Sequence, residues 1–100
     1  MIVVSGTIDL DPANADAAVT AFTTVAEATL AEEGCSTYGF WADPAQPGRY
    51  RVFEEWADQA ALDAHFATPH LAAFLGGIGT LGVTGTDISK YQVGDKSKLM

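Results

Sequence analysis

The chain has little cysteine and little positive charge, and it lacks a long apolar run. Its 100 residues include one cysteine, Cys35. An intrachain disulfide or a zinc site built from thiolates is therefore excluded. Lysine and arginine number 5 against 13 aspartates and glutamates, which gives a net charge of -8. This charge argues against a nucleic-acid partner, because phosphate contacts need clustered Lys and Arg side chains.

Signals for export and membrane insertion are also missing from the sequence. No basic segment precedes an apolar one at the N-terminus, and no run of 18 apolar residues occurs. We therefore expect a cytoplasmic protein without a membrane partner. The length fits one domain, which we place at residues 1–94, followed by a C-terminal tail at 95–100.

Strand and helix signals follow one another in the order β-α-β-β-α-β. A first strand reads "IVVSGTIDL", and Asp11-Pro12 then caps a helix that we expect to run to about Glu33. A hairpin follows, "CSTYGFWAD" and "RYRVFEEW" joined by the turn "DPAQPG", and the last strand reads "VTGTDISKYQV". Helices on one face of such an antiparallel sheet give a ferredoxin-like α+β fold.

Apolar spacing predicts which surfaces are buried. On the first helix, one stripe is expected to face the sheet, and Gly34 is expected to end the helix in a left-handed conformation. The stripe comprises Ala15, Val19, Phe22, Ala26 and Leu30. Aromatic residues crowd the second and third strands, so we expect the uncovered sheet face to meet a second copy in a homodimer. These aromatics are Tyr38, Phe40, Trp41, Tyr50, Phe53 and Trp56.

Both histidines lie in the segment "WADQAALDAHFATPHLAAF". Asp58 caps the helix "QAALDAHFA", and Thr68-Pro69 begins a separate short helix, "HLAAFLGGI". His65 and His70 are five residues apart, which is about 140° of rotation on a continuous helix. The proline interrupts the helix between them, and no third ligand lies near in sequence. The spacing therefore predicts that they do not share a metal ion.

His65 has two interpretations that the sequence leaves open. It follows Leu62 by three residues, so it lies on or beside the stripe that faces the sheet. It is either a histidine at the edge of the core or a general base in a cavity between helix and sheet. His70 begins the next helix, and we expect it at the surface or in packing.

Glu54 and Glu55 are adjacent in the third strand, so their side chains point to opposite faces of the sheet. They cannot act as a carboxylate pair. The glutamate that faces inward must have a partner, for which Arg49 and Arg51 are the candidates, or its pKa must be high.

The glycine-rich stretch "GIGTLG", Gly77 to Gly82, matches the pattern G-x-G-x-x-G. A dinucleotide-binding loop follows a strand and opens a helix. This stretch follows a helix and precedes a strand, so we interpret it as a connection.

The segment from Glu32 to Leu75 resembles the antibiotic biosynthesis monooxygenase (ABM) domain. The similarity comprises a Gly-Cys start with a tyrosine three residues on, Asp-Pro in the hairpin turn, a strand ending in Glu-x-Trp, and helices with Ala-Leu-x-x-His and Pro-His-x-x-x-Phe. The resemblance implies a homodimeric α+β barrel with a cavity between sheet and helices. It also implies oxidation of quinols or phenolic polyketides by O2 without a metal or organic cofactor.

The resemblance further implies roles for individual residues. His65 would be the base, and four aromatic residues would contact a small quinol or phenolic substrate: Tyr38, Trp56, Phe66 and Phe74. No cofactor is expected. The alternatives are a non-catalytic module that binds a small ligand or only dimerises, and a related isomerase.

Two other branches of the same superfamily match less well. Haem-degrading relatives carry an asparagine, a tryptophan and a histidine where this chain has Gly6, His65 and Leu75, so haem chemistry is not expected. Autoinducer-processing isomerases are similar at His65 and at Thr68–His70. They also use a histidine on the first helix, where Ala26 stands here.

Overall fold

The structure is a computed structural model that describes residues 1–100. It contains four strands and three α-helices in the predicted order, with the last helical region split in two. The strands are β1 (Ile2–Leu10), β2 (Cys35–Ala42), β3 (Arg49–Trp56) and β4 (Val83–Gln92). The helices are α1 (Ala15–Leu30), α2 (Gln59–Phe66) and α3 (Pro69–Ile78). No helix is long and apolar enough to span a membrane.

The four strands form one antiparallel sheet in the order β2-β3-β1-β4. The predicted ferredoxin-like α+β arrangement is therefore confirmed. Alternation along the strands divides the sheet into two faces. The covered face lies under the helices and includes Val4, Tyr38, Val52 and Glu54. The open face includes Val3, Thr37, Trp41, Phe53, Glu55 and Tyr91.

Local capping signals fix where the helices begin. The Asp58 carboxylate accepts a hydrogen bond from the Ala61 backbone N–H at 2.8 Å and opens α2. The Thr68 hydroxyl accepts one from Leu71, with Pro69 at the first position of α3. The predicted break between the two histidines is thus confirmed. The stretch from Gly77 to Gly82 joins α3 to β4, as predicted: its first two residues end α3, and the left-handed Gly82, with φ of 68°, precedes β4.

The expected end of α1 was wrong, and its buried face was predicted only in part, with Phe22 buried and Ala26 packed against the core as expected. The helix ends at Leu30, short of Glu33, and the left-handed Gly34 lies beyond its end. Its buried residues are Ala18, Phe22, Val25 and Thr29, whereas Val19 and Leu30 are half-exposed. The helix is rich in alanine and apolar on several sides, so a spacing of three or four residues fits two neighbouring faces equally well.

Two apolar clusters hold the helices on the covered face. One joins Ile2, Val25, Tyr38, Trp56 and Leu62, and the other joins Leu10, Ala18, Phe22, Tyr50 and Leu81. The stacked rings of Phe22 and Phe40, 4.2 Å apart, close the second cluster against β2. Neither cluster fills the space beneath α2 and α3, and almost all of β4 is exposed. The covered face therefore keeps a cavity.

Candidate functional site

A cavity of about 290 Å³ lies between the covered face and helices α2 and α3. Strands β1 to β4 form its floor, and its lining is mostly hydrophobic. Binding sites for small molecules generally exceed roughly 300 Å³, so this volume suits a small ligand. Two side chains of the lining, those of Glu54 and His65, are proton acceptors. An apolar cavity with a few converging polar groups is the expected form of a ligand site.

The structure brings most of the predicted site residues into this cavity. His65, Tyr38, Phe66 and Phe74 all line it, and Phe66 is largely exposed. Trp56 does not line the cavity, so the expected contact between this indole and a substrate is not supported. It is fully buried, and its ring lies 4.8 Å from that of His65. Trp56 ends β3 beneath α2, where the helix seals it from the cavity.

His65 is held in place by an ionisable partner that sequence reasoning missed. Its side chain is buried, and Nδ1 lies 2.7 Å from Oε2 of Glu32, in the segment between α1 and β2. A carboxylate that accepts from the Nδ1–H group fixes the tautomer with its lone pair on Nε2. Nε2 forms no hydrogen bond with the chain. His65, which lines the cavity, therefore has a ring nitrogen that is available to accept a proton.

The prediction that the two histidines diverge was wrong. Nε2 of His70 also lies 2.7 Å from Oε2 of Glu32, and the two imidazole centroids are 6.2 Å apart. The break before Pro69 was expected, but the direction that it gives to α3 was not, and this direction returns His70 to Glu32. The third group lies 33 residues from His65 in sequence. Three atoms suited to binding a metal ion thus lie within 4.8 Å of one another.

Glu54 is a second titratable group in the cavity wall. Its side chain is buried, and the Trp56 indole N–H donates to Oε1 at 2.9 Å. Burial raises the pKa of Glu54 to about 7, the indole N–H opposes this, and the negative charge of Glu32 adds to it. The prediction of a high pKa for the inward-facing glutamate is confirmed.

The arginines proposed as partners of that glutamate lie elsewhere. Arg49 donates from Nε to Asp9 at 2.7 Å, and Arg51 donates to the Ser5 hydroxyl at 3.4 Å. Alternation along β3 places both arginines on the open face, opposite to Glu54. The expected Arg–Glu54 pair was therefore wrong, and the cavity contains no Lys or Arg side chain.

Two further acidic side chains near the cavity keep their protons at neutral pH. Burial and the negative charge of Glu54 raise the pKa of the Tyr38 phenol, so it remains an O–H donor. Burial raises the pKa of the Cys35 thiol to about 11, with Glu32 and Glu54 adding to the effect. Cys35 is therefore a poor nucleophile.

The arrangement can bind an apolar weak acid, remove its proton and stabilise the anion. His65 and Glu54 are proton acceptors, and Tyr38 adds a protonated phenol to the same cavity wall. A haem-degrading arrangement does not fit, because a Cβ atom at Gly6 would lie 2.0 Å from the carbonyl oxygen of Asp87. An asparagine side chain at that position has no room on the covered face.

Comparisons with known proteins identify the family of this chain. A family model for the antibiotic biosynthesis monooxygenase matches residues 1–76. An uncharacterized protein of Synechocystis, sll1783, is 31% identical over 98 residues, which are 98% of this chain and 67% of that protein.

Crystal structures share the fold over nearly the whole chain. A protein from Deinococcus radiodurans, provisionally named an antibiotic biosynthesis monooxygenase, superposes with a TM-score of 0.92 at 28% identity, covering 100% of this chain and 99% of that one. A conserved protein from Methanosarcina mazei gives a TM-score of 0.85 at 26% identity, over 91% and 90% of the two chains. The resemblance seen in the sequence is thereby confirmed.

Proposed function

The chain belongs to the antibiotic biosynthesis monooxygenase family, and we propose that it is a cofactor-independent monooxygenase that oxidises a small quinol or phenolic aromatic with O2. The observation that carries this proposal is the cavity of about 290 Å³, in which His65 and Glu54 meet an otherwise mostly apolar, aromatic-rich wall. Such a wall selects a flat apolar ring, and the two acceptors select a ring that carries an acidic hydroxyl.

The chemistry begins with proton transfer. Nε2 of His65 takes the phenolic proton, and the resulting electron-rich anion passes one electron to O2. The superoxide and the aromatic radical then combine, one oxygen atom stays on the ring, and the other leaves as water. A hydroquinone and O2 thus yield a hydroxyquinone and water, with atoms and electrons balanced. The protein supplies binding, a base and a dry site.

Residues around the base divide the remaining work. Glu32 holds the imidazole in the tautomer that leaves Nε2 free. Tyr38 donates a hydrogen bond to the substrate oxyanion, since its phenol stays protonated. Glu54 has a pKa of about 7, so it takes up or returns a second proton at neutral pH.

A homodimer formed through the open face is part of the proposal. Trp41 and Tyr91 are about half-exposed on that face, beside Phe53. Open apolar area of this kind on a sheet is commonly covered by another subunit. Sedimentation equilibrium at micromolar concentration should show twice the chain mass, and a 10.5 kDa species alone would contradict the dimer.

Oxygen uptake tests the activity directly. Chelator-treated protein, free of flavin and haem absorbance, should consume O2 with at least one member of a panel of substituted hydroquinones, and mass spectrometry should show one added oxygen atom. Saturable binding of the same hydroquinones without O2 uptake would instead favour a non-catalytic binding module. A product that has the same mass as the substrate but a double bond at a different position would favour an isomerase.

A further inference from the structure

We propose that Glu32, His65 and His70 form a binding site for one divalent metal ion of the zinc class. We call these three residues the Glu32 cluster. The site would lie behind the cavity wall, on the Nδ1 side of His65, whereas the proposed oxidation uses Nε2 on the other side of the ring.

The donor set and its spacing suit zinc. Two imidazoles and one carboxylate are a common protein ligand set for Zn²⁺, with a fourth position left to water. Nδ1 of His65 and Nε2 of His70 each lie 2.7 Å from Oε2 of Glu32, and the three atoms lie within 4.8 Å of one another. Tetrahedral bonds of about 2.1 Å place ligand atoms roughly 3.4 Å apart. The two N···O contacts therefore need to open by less than about 1 Å, and the two imidazole nitrogens, which lie within 4.8 Å of each other, need to approach by at most about 1.4 Å.

The charge of Glu32 gives an independent reason for a cation at this point. Its side chain is only 13% exposed, and its ionic partners within 4.0 Å are the two histidines, with no Lys or Arg among them. A mostly buried carboxylate without a permanent cation is costly, and buried charges are normally paired or bind metals. The net charge of -8 also raises the local concentration of divalent cations.

The cluster is built on separate elements and has an entrance. His65 comes from the last turn of α2, His70 from the first turn of α3, and Glu32 from the connection after α1. His65 is buried, but the His70 side chain is 26% exposed and lines a groove of about 430 Å³ between α1 and α3. An ion can therefore reach the cluster from this groove without passing through the substrate cavity.

Metal occupancy has a consequence that rests on the proposed function. A neutral imidazole that binds a metal through Nδ1 carries its proton on Nε2. His65 in the occupied state cannot accept the phenolic proton. Zinc should therefore act as an inhibitor of quinol oxidation.

Titration of tag-free protein with ZnCl2 by calorimetry tests the site without any turnover. We expect saturation at one equivalent. His70→Gln and Glu32→Gln should each weaken binding by at least about 100-fold, since losing a direct ligand costs more than the 10–100-fold typical of outer-shell changes. The matched control is Glu33→Gln, which removes the exposed neighbouring carboxylate and should leave the affinity unchanged.

Imidazole nitrogen resonances provide a second readout. Zinc should shift Nδ1 of His65 and Nε2 of His70, and it should leave both unchanged in folded Glu32→Gln protein. The absence of saturable zinc binding would overturn the proposal, as would equal affinities for wild type and His70→Gln or a matching loss in Glu33→Gln. Zinc binding with no quinol oxidation would refute the proposed activity and leave the metal site standing.

Discussion

Glu54 and Glu55 are neighbours in β3, yet their carboxyl groups have opposite properties. Glu54 lies on the covered face, where burial raises its pKa to about 7. Glu55 lies on the open face, where the Thr37 hydroxyl and the Lys96 ammonium donate to its carboxylate and lower its pKa. The two side chains are almost equally inaccessible, at 7% and 8% exposure. What distinguishes them is the partner that each face supplies: one indole N–H for Glu54, and a hydroxyl and an ammonium group for Glu55.

The difference shows how this small fold makes a reactive environment. On the open face, charges are paired, as in Asp9 with Arg49 and Glu55 with Lys96. On the covered face, the helices exclude water and supply no Lys or Arg, so Glu54 is left with an indole N–H and His65 with a carboxylate. A buried carboxyl group without a cationic partner, such as Glu54, has a pKa raised toward neutrality and suits proton transfer.

The largest expected effect concerns His65. His65→Ala should lower the turnover of an accepted quinol by about 100-fold or more, the usual scale for loss of a general base. Glu55→Gln, on the opposite face, should keep the wild-type rate, and His70→Ala should have a far smaller effect than His65→Ala. Steady-state oxygen uptake measures all three, and a fully active His65→Ala variant would refute the assigned role.

This experiment needs a folding control. His65 is only 2% exposed, and its ring packs against those of Trp56 and Tyr38 at centroid distances of 4.8 and 5.4 Å, so its removal also affects packing. His65→Gln fills more of the space than His65→Ala does. If both variants lose a similar fraction of the rate when equal amounts of folded protein are compared, the loss comes from the missing base.

The second effect concerns the stability contributed by Glu54. Its pKa in the folded state is about 7 against 4.5 for a free side chain. The pKa of Glu54 is higher in the folded state than in the unfolded state. Its contribution to the free energy of unfolding is therefore fully present below about pH 4.5 and is lost as the pH rises through 7. The loss amounts to roughly 3 kcal/mol at 1.36 kcal/mol per pKa unit.

Glu54→Gln removes this titration. The free energy of unfolding of Glu54→Gln, measured relative to wild type, should therefore rise by roughly 3 kcal/mol from about pH 4 to about pH 8. Urea unfolding of both proteins across this range measures the difference, in which titrations shared by both cancel. A difference that stays constant with pH would show that Glu54 is not perturbed.

The third effect separates the two tryptophans. Trp56→Phe removes the indole N–H donated to the buried Glu54 carboxyl, and it should cost about 1–3 kcal/mol of unfolding free energy while raising the pKa of Glu54 further. Trp41 is 53% exposed on the open face, so Trp41→Phe should change monomer stability by less than about 0.5 kcal/mol. Denaturant unfolding at low protein concentration gives both values, and equal costs would remove the distinction between the faces.

Most of the fold could be predicted because its signals are local. The limits of β3 follow from the turn before it and Asp58 after it, and the start of α3 follows from Thr68-Pro69. The buried face of α1 could be predicted only in part, since its alanine-rich sequence fits two faces. Only contact with the aromatic side chains of β2 and β3 selects between them.

The site could be predicted in part, for the same reason. The spacing from Leu62 placed His65 inward, and strand alternation required one glutamate to face the helices. The Glu32 cluster could not be predicted from the spacing of residues along the chain. Its contacts join residues that are 33 and 38 positions apart, and they depend on the direction that α3 takes after α2. Helical rotation is a sound guide within one helix and fails once a cap and a proline redirect the chain.

The smallest expected effect concerns Glu55 and closes the comparison with Glu54. Its pKa is lowered, so the stability it contributes is present at neutral pH and is lost as the pH falls through the acid range, opposite in sign to Glu54. The Lys96 side chain is 61% exposed and that of Glu55 is 10% exposed. Glu55→Gln loses the ion pair but keeps an acceptor for the Thr37 hydroxyl, so it should cost less than about 1 kcal/mol at pH 7, and added salt should shrink that cost. Urea unfolding of wild type and Glu55→Gln at low and high ionic strength measures both quantities. A larger cost that appears only at protein concentrations where dimers form would mean that the open face buries Glu55 against a second copy. A cost that grows with rising pH, as for Glu54, would mean that the two faces of the sheet do not differ as described.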